Sequence, residues 1–217
     1  MSRPTTDALI VPASAEGLRR AVQVVKQGGI VAFPTETYYG LGVDPMNQQA
    51  LARLFSVKQR PSHKPILNLV ERRSQIDLLA AEIPDLFEPL IEQLWPGPLT
   101  LIFNAAPCAS VLLTGGSGTV GIRISSHSLA REFVRQVGGP LTATSANLSG
   151  ALAAKNSREV AEQLGSGVDL ILDGGETPGG MGSTIVALRD SRLVLIRDGA
   201  MPFSQIEKKI DCQSGFR

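Results

Sequence analysis

The sequence predicts an α/β protein in which helices surround a twisted sheet of mixed parallel and antiparallel strands. Short apolar strands alternate with amphipathic helices along the chain, which is the pattern of such folds. Some strands are joined by short turns, as at Asp190-Ser191, and strands joined in this way pair antiparallel. The 217 residues are 43% hydrophobic and 19% charged, which is typical of a packed domain. We expect one domain over residues 10–200 and a C-terminal tail over residues 201–217.

The elements of the first half follow from periodicity and stop signals. Residues 15–27 carry apolar side chains at helical spacing, and Gly28-Gly29 ends that helix. Residues 30–33 form a short apolar strand. Asn47 is placed to cap a second helix, which runs to about Gln59 and is stopped by Pro61. The next expected elements are a strand over 65–70 and helices over 74–81 and 84–94.

The second half opens with the rigid turn Trp95-Pro96-Gly97-Pro98. After this turn we expect a strand over 99–103, a loop over 114–119 and a strand over 120–124. A helix over 127–137, a strand over 141–145, a helix over 157–164 and a strand over 168–172 follow. A glycine-rich loop over 174–182 then leads to two closing strands over 184–188 and 193–197.

Composition excludes several classes of protein. A net charge of +1 gives no overall reason to bind nucleic acid, although a local basic face remains compatible with it. The two cysteines, Cys108 and Cys212, do not form a disulfide framework or a zinc-site spacing. Residues 1–4 do not open a signal peptide, and no apolar run is long enough to span a membrane. We therefore expect a cytoplasmic protein.

The polar segment Pro34–Gly42 follows the first predicted strand and is the strongest local signal. Hydroxyls, a carboxylate and two tyrosines crowd the end of a core strand, where ligands commonly bind. Three cations, Lys58, Arg60 and Lys64, follow between prolines and indicate an anionic ligand. Spacing alone also fits a solvated helix end, where Lys and Arg favour the negative dipole, but the prolines favour a preorganised anion site.

Arg123 lies inside an apolar strand and therefore needs an anion or a carboxylate partner. Gly121, two residues earlier on the same face, leaves room beside it. A guanidinium suits the carboxylate of a ligand such as an amino acid. A structural salt bridge explains the position equally well, so both interpretations stay open.

The segment Thr142–Gly150 leads from a strand into hydroxyl and amide groups, which can donate to phosphate or simply form an ordinary turn. A glycine-rich loop delivers Ser183 to a strand, and Arg197 ends the last strand. The letters G-x-G-x-x-G at residues 116–121 precede a strand, so they fail the context test for a dinucleotide-binding loop. His63 and His127 lie in no recognisable triad, and we expect surface roles for both.

Five segments, taken in their order along the chain, together resemble the YrdC/Sua5 family. They are Pro34-Thr35-Glu36-Thr37-Tyr38-Tyr39-Gly40-Leu41-Gly42, Lys58-Gln59-Arg60-Pro61, Trp95-Pro96-Gly97-Pro98-Leu99-Thr100, Val120-Gly121-Ile122-Arg123 and Thr144-Ser145-Ala146-Asn147-Leu148-Ser149-Gly150. The resemblance implies a YrdC-like domain with a large, basic, concave cavity. It also implies an L-threonylcarbamoyladenylate synthase, which joins L-threonine, bicarbonate and ATP and releases pyrophosphate. Longer members carry an extra C-terminal domain, and this chain resembles the short form.

The resemblance also implies residue roles. Lys58 and Arg60 would be catalytic, and the ATP side would comprise Lys58, Arg60, Lys64, Thr119, Ser145, Asn147, Ala153 and Arg197. The L-threonine side would comprise Thr37, Leu69, Arg123, Ala143 and Ser183, with Arg123 on the carboxylate. Mg²⁺ would be held by phosphates and not by protein side chains. The product would pass to a tRNA-threonylcarbamoyl transferase machinery that modifies adenosine 37 of tRNA (t6A).

Two alternatives remain at this stage. A non-catalytic module that binds tRNA or double-stranded RNA would show salt-dependent affinity without ATP turnover. The few aromatic residues near the cations argue against readout by base stacking. A related carbamoyl-adenylate-forming enzyme with another acceptor is the second alternative, and the sequence does not decide between threonine and serine.

Overall fold

The computed structural model describes the backbone of residues 8–214 and the side chains of residues 8–210. Within this part the strands are β1 (Leu9–Pro12), β2 (Val31–Pro34), β3 (Tyr39–Gly42), β4 (Leu67–Leu69), β5 (Leu99–Asn104), β6 (Thr119–Arg123), β7 (Leu141–Thr142), β8 (Thr144–Ser145), β9 (Leu170–Asp173), β10 (Thr184–Arg189) and β11 (Arg192–Arg197). Three subjects of the sequence analysis lie outside this described part: residues 1–4, the side chain of Cys212, and residues 215–217 of the expected tail.

The α-helices are α1 (Ala15–Lys26), α2 (Gln48–Lys58), α3 (Glu88–Leu94), α4 (Val111–Thr114), α5 (Ser128–Val137), α6 (Ser157–Leu164) and α7 (Phe203–Ser214). Short 3-10 helices cover Arg73–Leu78, Asp85–Phe87 and Gly165–Gly167. No helix within the described residues is long and apolar enough to cross a membrane.

The strands form two mixed sheets. The five-stranded sheet has the order β1-β9-β2-β3-β8, in which β9 pairs parallel with both β1 and β2 and the other pairs are antiparallel. The six-stranded sheet has the order β11-β10-β5-β6-β4-β7, with parallel pairs β10–β5 and β6–β4. The predicted mixed α/β fold is confirmed, but the strands divide between two sheets instead of forming one.

The strand predicted over residues 141–145 is in fact two short strands, one in each sheet. Between them, the amide of Ala143 donates to the carbonyl of Leu67 over 2.8 Å. The amide of Thr142 donates to the carbonyl of Val43 over 3.0 Å. The chain therefore crosses from one sheet to the other at Ala143, and this crossing brings both sheets to the same cavity.

Capping residues fix the ends of the two helices that flank the first hairpin. The Ser14 hydroxyl accepts a hydrogen bond from the amide of Gly17 over 3.1 Å at the start of α1. The Asn47 side chain accepts from two amides at the start of α2, as the sequence predicts. At its other end α2 stops at Gln59, which adopts a left-handed conformation. Lys58 is thereby held at the last helical position.

Strand β3 was not predicted, because its sequence Tyr-Gly-Leu-Gly carries two residues that are poor strand formers. The glycine at position 42 is required by packing. A Cβ there would lie 2.8 Å from Cδ2 of Leu141 and 2.9 Å from Cε1 of Phe33. Tertiary packing therefore decides the identity of a residue that local propensity alone would exclude from a strand.

The structure differs from the sequence prediction in several other elements. Strand β1 and helix α4 were not predicted, and the helix expected over 74–81 is a 3-10 helix over Arg73–Leu78. Part of the expected C-terminal tail forms α7, which packs on α3 and buries Ile206 completely. The hairpin at Asp190-Ser191 is confirmed, and both residues have positive φ, which suits a tight hairpin turn.

Candidate functional site

The tight turn between β2 and β3 carries the polar segment that the sequence singles out. The hydroxyl of Thr35 donates to the carbonyl of Tyr38 over 2.7 Å and accepts from the amide of Thr37 over 3.2 Å. These bonds close the turn and place Glu36 and Thr37 at its centre. The Thr37 side chain lines a cavity, whereas the Glu36 side chain reaches residues beyond β6. Neighbouring positions of one turn thus contact different parts of the molecule.

Arg123, at the end of β6, pairs with Glu36 of that turn. Nη1 of Arg123 lies 2.9 Å from Oε1 of Glu36, and both side chains are nearly buried. The contact is an ion pair without the alignment of a hydrogen bond. The other carboxylate oxygen of Glu36 accepts a hydrogen bond from the Ser125 hydroxyl. The structural salt bridge that the sequence left open is therefore present, and Arg123 also lines the cavity.

Gly121 does not leave space for a ligand beside Arg123. A Cβ at this glycine would lie 2.3 Å from Cδ2 of Leu67 and 3.2 Å from atoms of Thr100 and Ile102. Protein side chains already fill that space, so this sequence expectation is wrong. The glycine lets β4 and β5 pack closely against β6 and form an apolar part of the cavity wall.

Arg60 and Lys64 line the cavity on the segment that follows α2. The guanidinium of Arg60 donates to the carbonyl of Pro65 over 2.7 Å and to that of Lys64 over 3.3 Å. Burial lowers the pKa of Arg60, yet Arg remains charged at any physiological pH. These hydrogen bonds hold both the Arg60 side chain and the segment around Lys64 in place beside the cavity.

Lys58 lies behind the cavity wall instead of lining it. Its side chain is 1% exposed, which excludes the solvated helix end considered from sequence. Nζ donates to the carbonyl of Ser145, to the carbonyl of Asn147 over 2.7 Å and to Oδ1 of Asn147 over 3.2 Å. Burial, and then the charge of Arg60, lowers the pKa of Lys58 to about 7. The three oxygens oppose this shift because they match the three N–H groups of an ammonium.

The turn after β8 is held by this lysine and by its own side chains. The Ser145 hydroxyl donates to Oδ1 of Asn147 over 2.6 Å, and the Asn147 amide donates to the carbonyl of Ala151 over 2.6 Å. Ser145 and Ala153 line the cavity, while Asn147 is 7% exposed and does not. Asn147 therefore shapes the turn that carries Ser145.

Ser183 immediately precedes β10 and lines the cavity. Its hydroxyl lies 2.8 Å from the hydroxyl of Thr100, which is fully buried. Arg197 donates to the carbonyl of Ser183 over 2.7 Å and to its hydroxyl over 3.1 Å. Ser183 and Arg197 both line the cavity, so the glycine-rich loop does deliver Ser183 as the sequence indicates.

The cavity has a volume of about 450 Å³ and lies between the two sheets and the loops that join them. The sequence-predicted residues that line it come from distant parts of the chain: Thr37, Arg60, Lys64, Arg123, Ala143, Ser145, Ala153, Ser183 and Arg197. The sequence prediction did not include the other lining residues, namely Thr35, Tyr38, Tyr39, Gly40, Pro65, Leu67, Ile102, Thr144, Gly182, Ile185 and Ile196.

Two further predicted site residues lie away from the cavity lining. Leu69 is 1% exposed and belongs to an apolar core cluster that also contains side chains of α1 and α5. Thr119 lies at the start of β6, at the opposite end of the strand from Arg123, and its hydroxyl contacts that of Ser117 over 2.8 Å. Neither side chain contacts the space that the cations surround.

His127 is half-buried instead of lying on the surface as expected. Burial lowers its pKa, and the charge of Glu36 opposes that effect. Its Nδ1 atom is buried and has no hydrogen-bond partner among the described residues. The Glu36 carboxylate is thus surrounded by Arg123, Ser125 and His127.

Some of the additional polar lining residues could have been found from the sequence, since Thr35 and Tyr38 belong to the turn that the sequence singles out. The apolar lining residues gave no such signal. Leu67, Ile102 and Ile185 have the appearance of ordinary strand residues, and only the pairing of their strands brings them together. Glu36 was noted as a carboxylate, but its pairing with Arg123 depends on contacts across 87 positions of sequence, which no local pattern reveals.

The charges of the cavity indicate what it can hold. Arg60, Lys64, Arg123 and Arg197 line it, and of these four only Arg123 forms an ion pair with a carboxylate within residues 8–210. Three unbalanced cations in one concave space favour an anionic ligand. The fold and site therefore define a mixed α/β protein with a cation-lined, hydroxyl-rich pocket, whose charge suits a phosphate-bearing or carboxylate-bearing small molecule.

The chain belongs to the Sua5/YciO/YrdC family, whose family model, described as telomere recombination, matches residues 23–199. It is 38% identical over 193 residues to the threonylcarbamoyl-AMP synthase of Pyrococcus abyssi, covering 89% of this chain and 57% of that protein. It is 42% identical over 163 residues to the threonylcarbamoyl-AMP synthase of Vibrio vulnificus, covering 72% of this chain and 86% of that protein. The chain thus spans little more than half the length of the Pyrococcus relative.

Solved structures show the same fold. The crystal structure of P. abyssi Sua5 complexed with L-threonine matches with a TM-score of 0.88 at 37% identity, covering 94% of this chain and 61% of that chain. The crystal structure of E. coli YciO matches with a TM-score of 0.79 at 23% identity, covering 95% of this chain and all of that chain. The second likeness concerns the fold alone, whereas the first also links it to a protein that binds L-threonine.

Proposed function

We propose that this chain is a threonylcarbamoyl-AMP synthase, which forms threonylcarbamoyl-AMP and pyrophosphate from L-threonine, bicarbonate and ATP. The observation that carries the proposal is the charge distribution of the cavity. Arg60, Lys64 and Arg197 have no carboxylate partner among the described residues, and the Arg123–Glu36 pair lines the same space. The names of the relatives and the L-threonine complex of P. abyssi Sua5 support the proposal.

In this proposal the unbalanced cations hold the triphosphate of ATP. Arg60 and Arg197 are fixed by carbonyl oxygens, so little side-chain entropy is lost when phosphate binds. Lys64 adds a compact charge at the exposed end of the segment. The Ser145 hydroxyl and the backbone near Ala153 complete the nucleotide side. Lys58 acts indirectly, because it holds the turn that carries Ser145.

L-threonine is held by Arg123, Thr37, Ser183 and Ala143. The guanidinium of Arg123 donates to the carboxylate of the amino acid from the edge that Glu36 leaves free. Thr37 and Ser183 are nearly buried and both line the cavity, where their hydroxyl groups can bond the polar groups of the amino acid. The apolar wall at Leu67 and Ile102 accommodates the methyl group.

The chemistry requires one C–N bond, one P–O bond and two leaving groups. The amine of L-threonine, in its free-base form, attacks bicarbonate to give a carbamate, and water leaves. A carbamate oxygen then attacks the α-phosphorus of ATP, the α–β anhydride bond breaks, and pyrophosphate departs with its electron pair. The residues that line the cavity supply position and positive charge for the developing negative charge, and they do not act as nucleophiles.

Mg²⁺ would arrive with ATP and would be held through the phosphates, where it would offset charge on the triphosphate. The residues present fit that role, since the cavity is lined by cations and hydroxyls and by no Asp or Glu among the described residues, which leaves the phosphates to hold the metal ion. Residues 8–210 contain no group of three or more His, Cys, Asp or Glu side chains placed to chelate a metal ion.

The product, a mixed anhydride, must be consumed by a group-transfer enzyme. We assign that role to a tRNA-threonylcarbamoyl transferase machinery that forms t6A at adenosine 37, with tRNA as its acceptor.

The test is pyrophosphate release by the purified chain with Mg²⁺. Release should require ATP, L-threonine and bicarbonate together, and omission of any one should abolish it. A panel of amino acids, with serine as the nearest neighbour of threonine, then defines the acceptor. Lack of pyrophosphate release with the complete mixture would overturn the proposal. RNA affinity that depends on salt, in the absence of such turnover, would favour an RNA-binding module instead.

A further inference from the structure

The carboxylate of Glu36 makes the Arg123 part of the cavity different from the rest. Arg60 and Arg197 donate to backbone carbonyls, which carry no net charge, and Lys64 forms no ion pair within the described residues. Arg123 alone among these four faces a full negative charge at 2.9 Å. The Arg123–Glu36 pair therefore carries little net charge. The neighbouring Arg197, whose pKa is lowered by burial and then by the charge of Arg123, has no carboxylate partner among the described residues.

The Glu36 carboxylate is held so that it stays beside Arg123. The tight turn around Thr35 fixes its backbone, and the buried Ser125 hydroxyl donates to its second oxygen. Ser125 in turn accepts from the backbone amide of His127 over 3.2 Å, which anchors it at the start of α5. Because its backbone and its second carboxylate oxygen are both held, the Glu36 side chain stays beside Arg123.

Glu36 acts through Arg123, because its side chain does not line the cavity. Its Oε1 atom is buried, has no aligned hydrogen-bond donor among the described residues and faces Nη1 of Arg123. A ligand therefore contacts the exposed edge of the guanidinium, and the Glu36 carboxylate lies behind that edge. Because the effective dielectric constant of a partly buried site is low, the charge of Glu36 still acts on the ligand.

We propose that Glu36 is a specificity-determining residue that makes the Arg123 subsite select a zwitterionic amino acid over an anionic group such as phosphate. A zwitterion has no net charge, so a nearly neutral subsite binds its carboxylate without repelling its ammonium. A phosphate or a simple carboxylate gains less there, because Glu36 offsets much of the attraction of Arg123. The triphosphate is thereby directed to Arg60, Lys64 and Arg197. This inference rests on the proposed function, which places L-threonine at Arg123.

Calorimetric titration of the full chain tests this inference without turnover. Two ligands are compared: L-threonine, and 3-hydroxybutyrate, which keeps the carboxylate and hydroxyl of threonine but lacks the ammonium. Wild type should prefer L-threonine. Glu36→Gln should reduce that preference by about tenfold, since removal of a nearby negative charge weakens ammonium binding and strengthens binding of the anion. An unchanged preference in folded Glu36→Gln overturns the inference.

Two further variants control for structural effects. Glu36→Asp keeps the charge and should retain most of the preference. Asp169→Asn removes a carboxylate from another partly buried pair, that with Arg53, which does not line the cavity. Its ligand preference should equal that of wild type. A preference lost equally in Asp169→Asn would assign the effect to general destabilisation and overturn the role of Glu36.

A wild-type measurement decides the question even if Glu36→Gln does not fold. Inorganic phosphate should compete with ATP but not with L-threonine. Displacement of L-threonine by phosphate as readily as of ATP overturns the inference. Failure of wild type to bind either L-threonine or 3-hydroxybutyrate overturns both this inference and the proposed function. Intact, selective L-threonine binding without pyrophosphate release overturns the proposed function alone.

Discussion

Nζ of Lys58, at the last turn of α2, lies 2.7 Å from the carbonyl oxygen of Asn147, 89 residues further along the chain. The same nitrogen donates to the Asn147 side chain and to the carbonyl of Ser145. A buried cation thus joins a helix end to the turn that presents Ser145 to the cavity. The relationship explains how a lysine near the cation-lined cavity can shape it without lining it.

Replacement of Lys58 by methionine should destabilise the protein by about 2–4 kcal/mol, because buried oxygens lose their donors while the apolar stem is kept. The turn should then lose its fixed position, and the KM for ATP should rise by about tenfold. Urea unfolding and pyrophosphate release measure the two effects. Lys26→Met, at the exposed end of α1, is the control and should change neither. Wild-type stability of Lys58→Met would show that the three bonds contribute nothing.

The depressed pKa of Lys58 predicts how stability depends on pH. The folded-state value is about 7, against 10.5 for an ordinary lysine, so the unfolded chain binds more protons between these two values. The free energy of unfolding attributable to Lys58 should therefore increase as pH rises above about 7, by up to about 1.4 kcal/mol per pH unit.

The check is the difference in unfolding free energy between wild type and Lys58→Met, measured from pH 7 to pH 9. This difference removes the contributions of groups that both proteins share. A difference that stays flat would mean that the three oxygens hold the ammonium charged throughout this range, and that the pKa of Lys58 is not lowered.

Tyr38 should control the glycine-rich loop that precedes Ser183. Its hydroxyl donates to the carbonyl of Gly180 over 2.6 Å, and the amide of Gly179 donates to the carbonyl of Thr37 over 2.8 Å. Tyr38→Phe removes one of these two tethers, a loss of about 1 kcal/mol. We expect faster hydrogen exchange across residues 174–182 and a KM for L-threonine raised about fivefold. The KM for bicarbonate is the internal control, and unchanged exchange in the loop would contradict the role of Tyr38.

The elements that the sequence predicts well are those that local chemistry specifies. Asn47 caps α2 with its own side chain, and Gln59 ends it, so both boundaries follow from neighbouring residues. Strand β3 does not follow, because its Gly42 is required by Leu141 and Phe33 from elsewhere in the chain. Long-range packing is thus the part of the fold that a local pattern does not contain.

The same distinction applies to the site. Arg60 and Arg123 stand out in the sequence because a cation near prolines or inside an apolar strand needs an explanation, and both line the cavity. Whether a residue lines the cavity or supports it depends on the direction of its side chain. Lys58 and Asn147 face each other instead of the cavity, and this direction is set only when α2 packs against the turn after β8.

Gly121→Ala should test how closely β4 and β6 must pack beneath the cavity. The added methyl group would lie 2.3 Å from Cδ2 of Leu67, so either the Leu67 side chain must rotate away or one of the two strands must shift. We expect a loss of about 1–3 kcal/mol in stability, the usual result of overpacking. Because Leu67 lines the cavity and pairs with Gly121, L-threonine binding should also weaken.

Gly139→Ala is the matched control, since a Cβ there meets nothing within 4 Å and the backbone does not require glycine. Thermal unfolding and calorimetric titration of both variants decide the matter: equal stability of the two proteins would mean that Leu67 moves aside without cost, and that the apolar wall is softer than its close packing indicates.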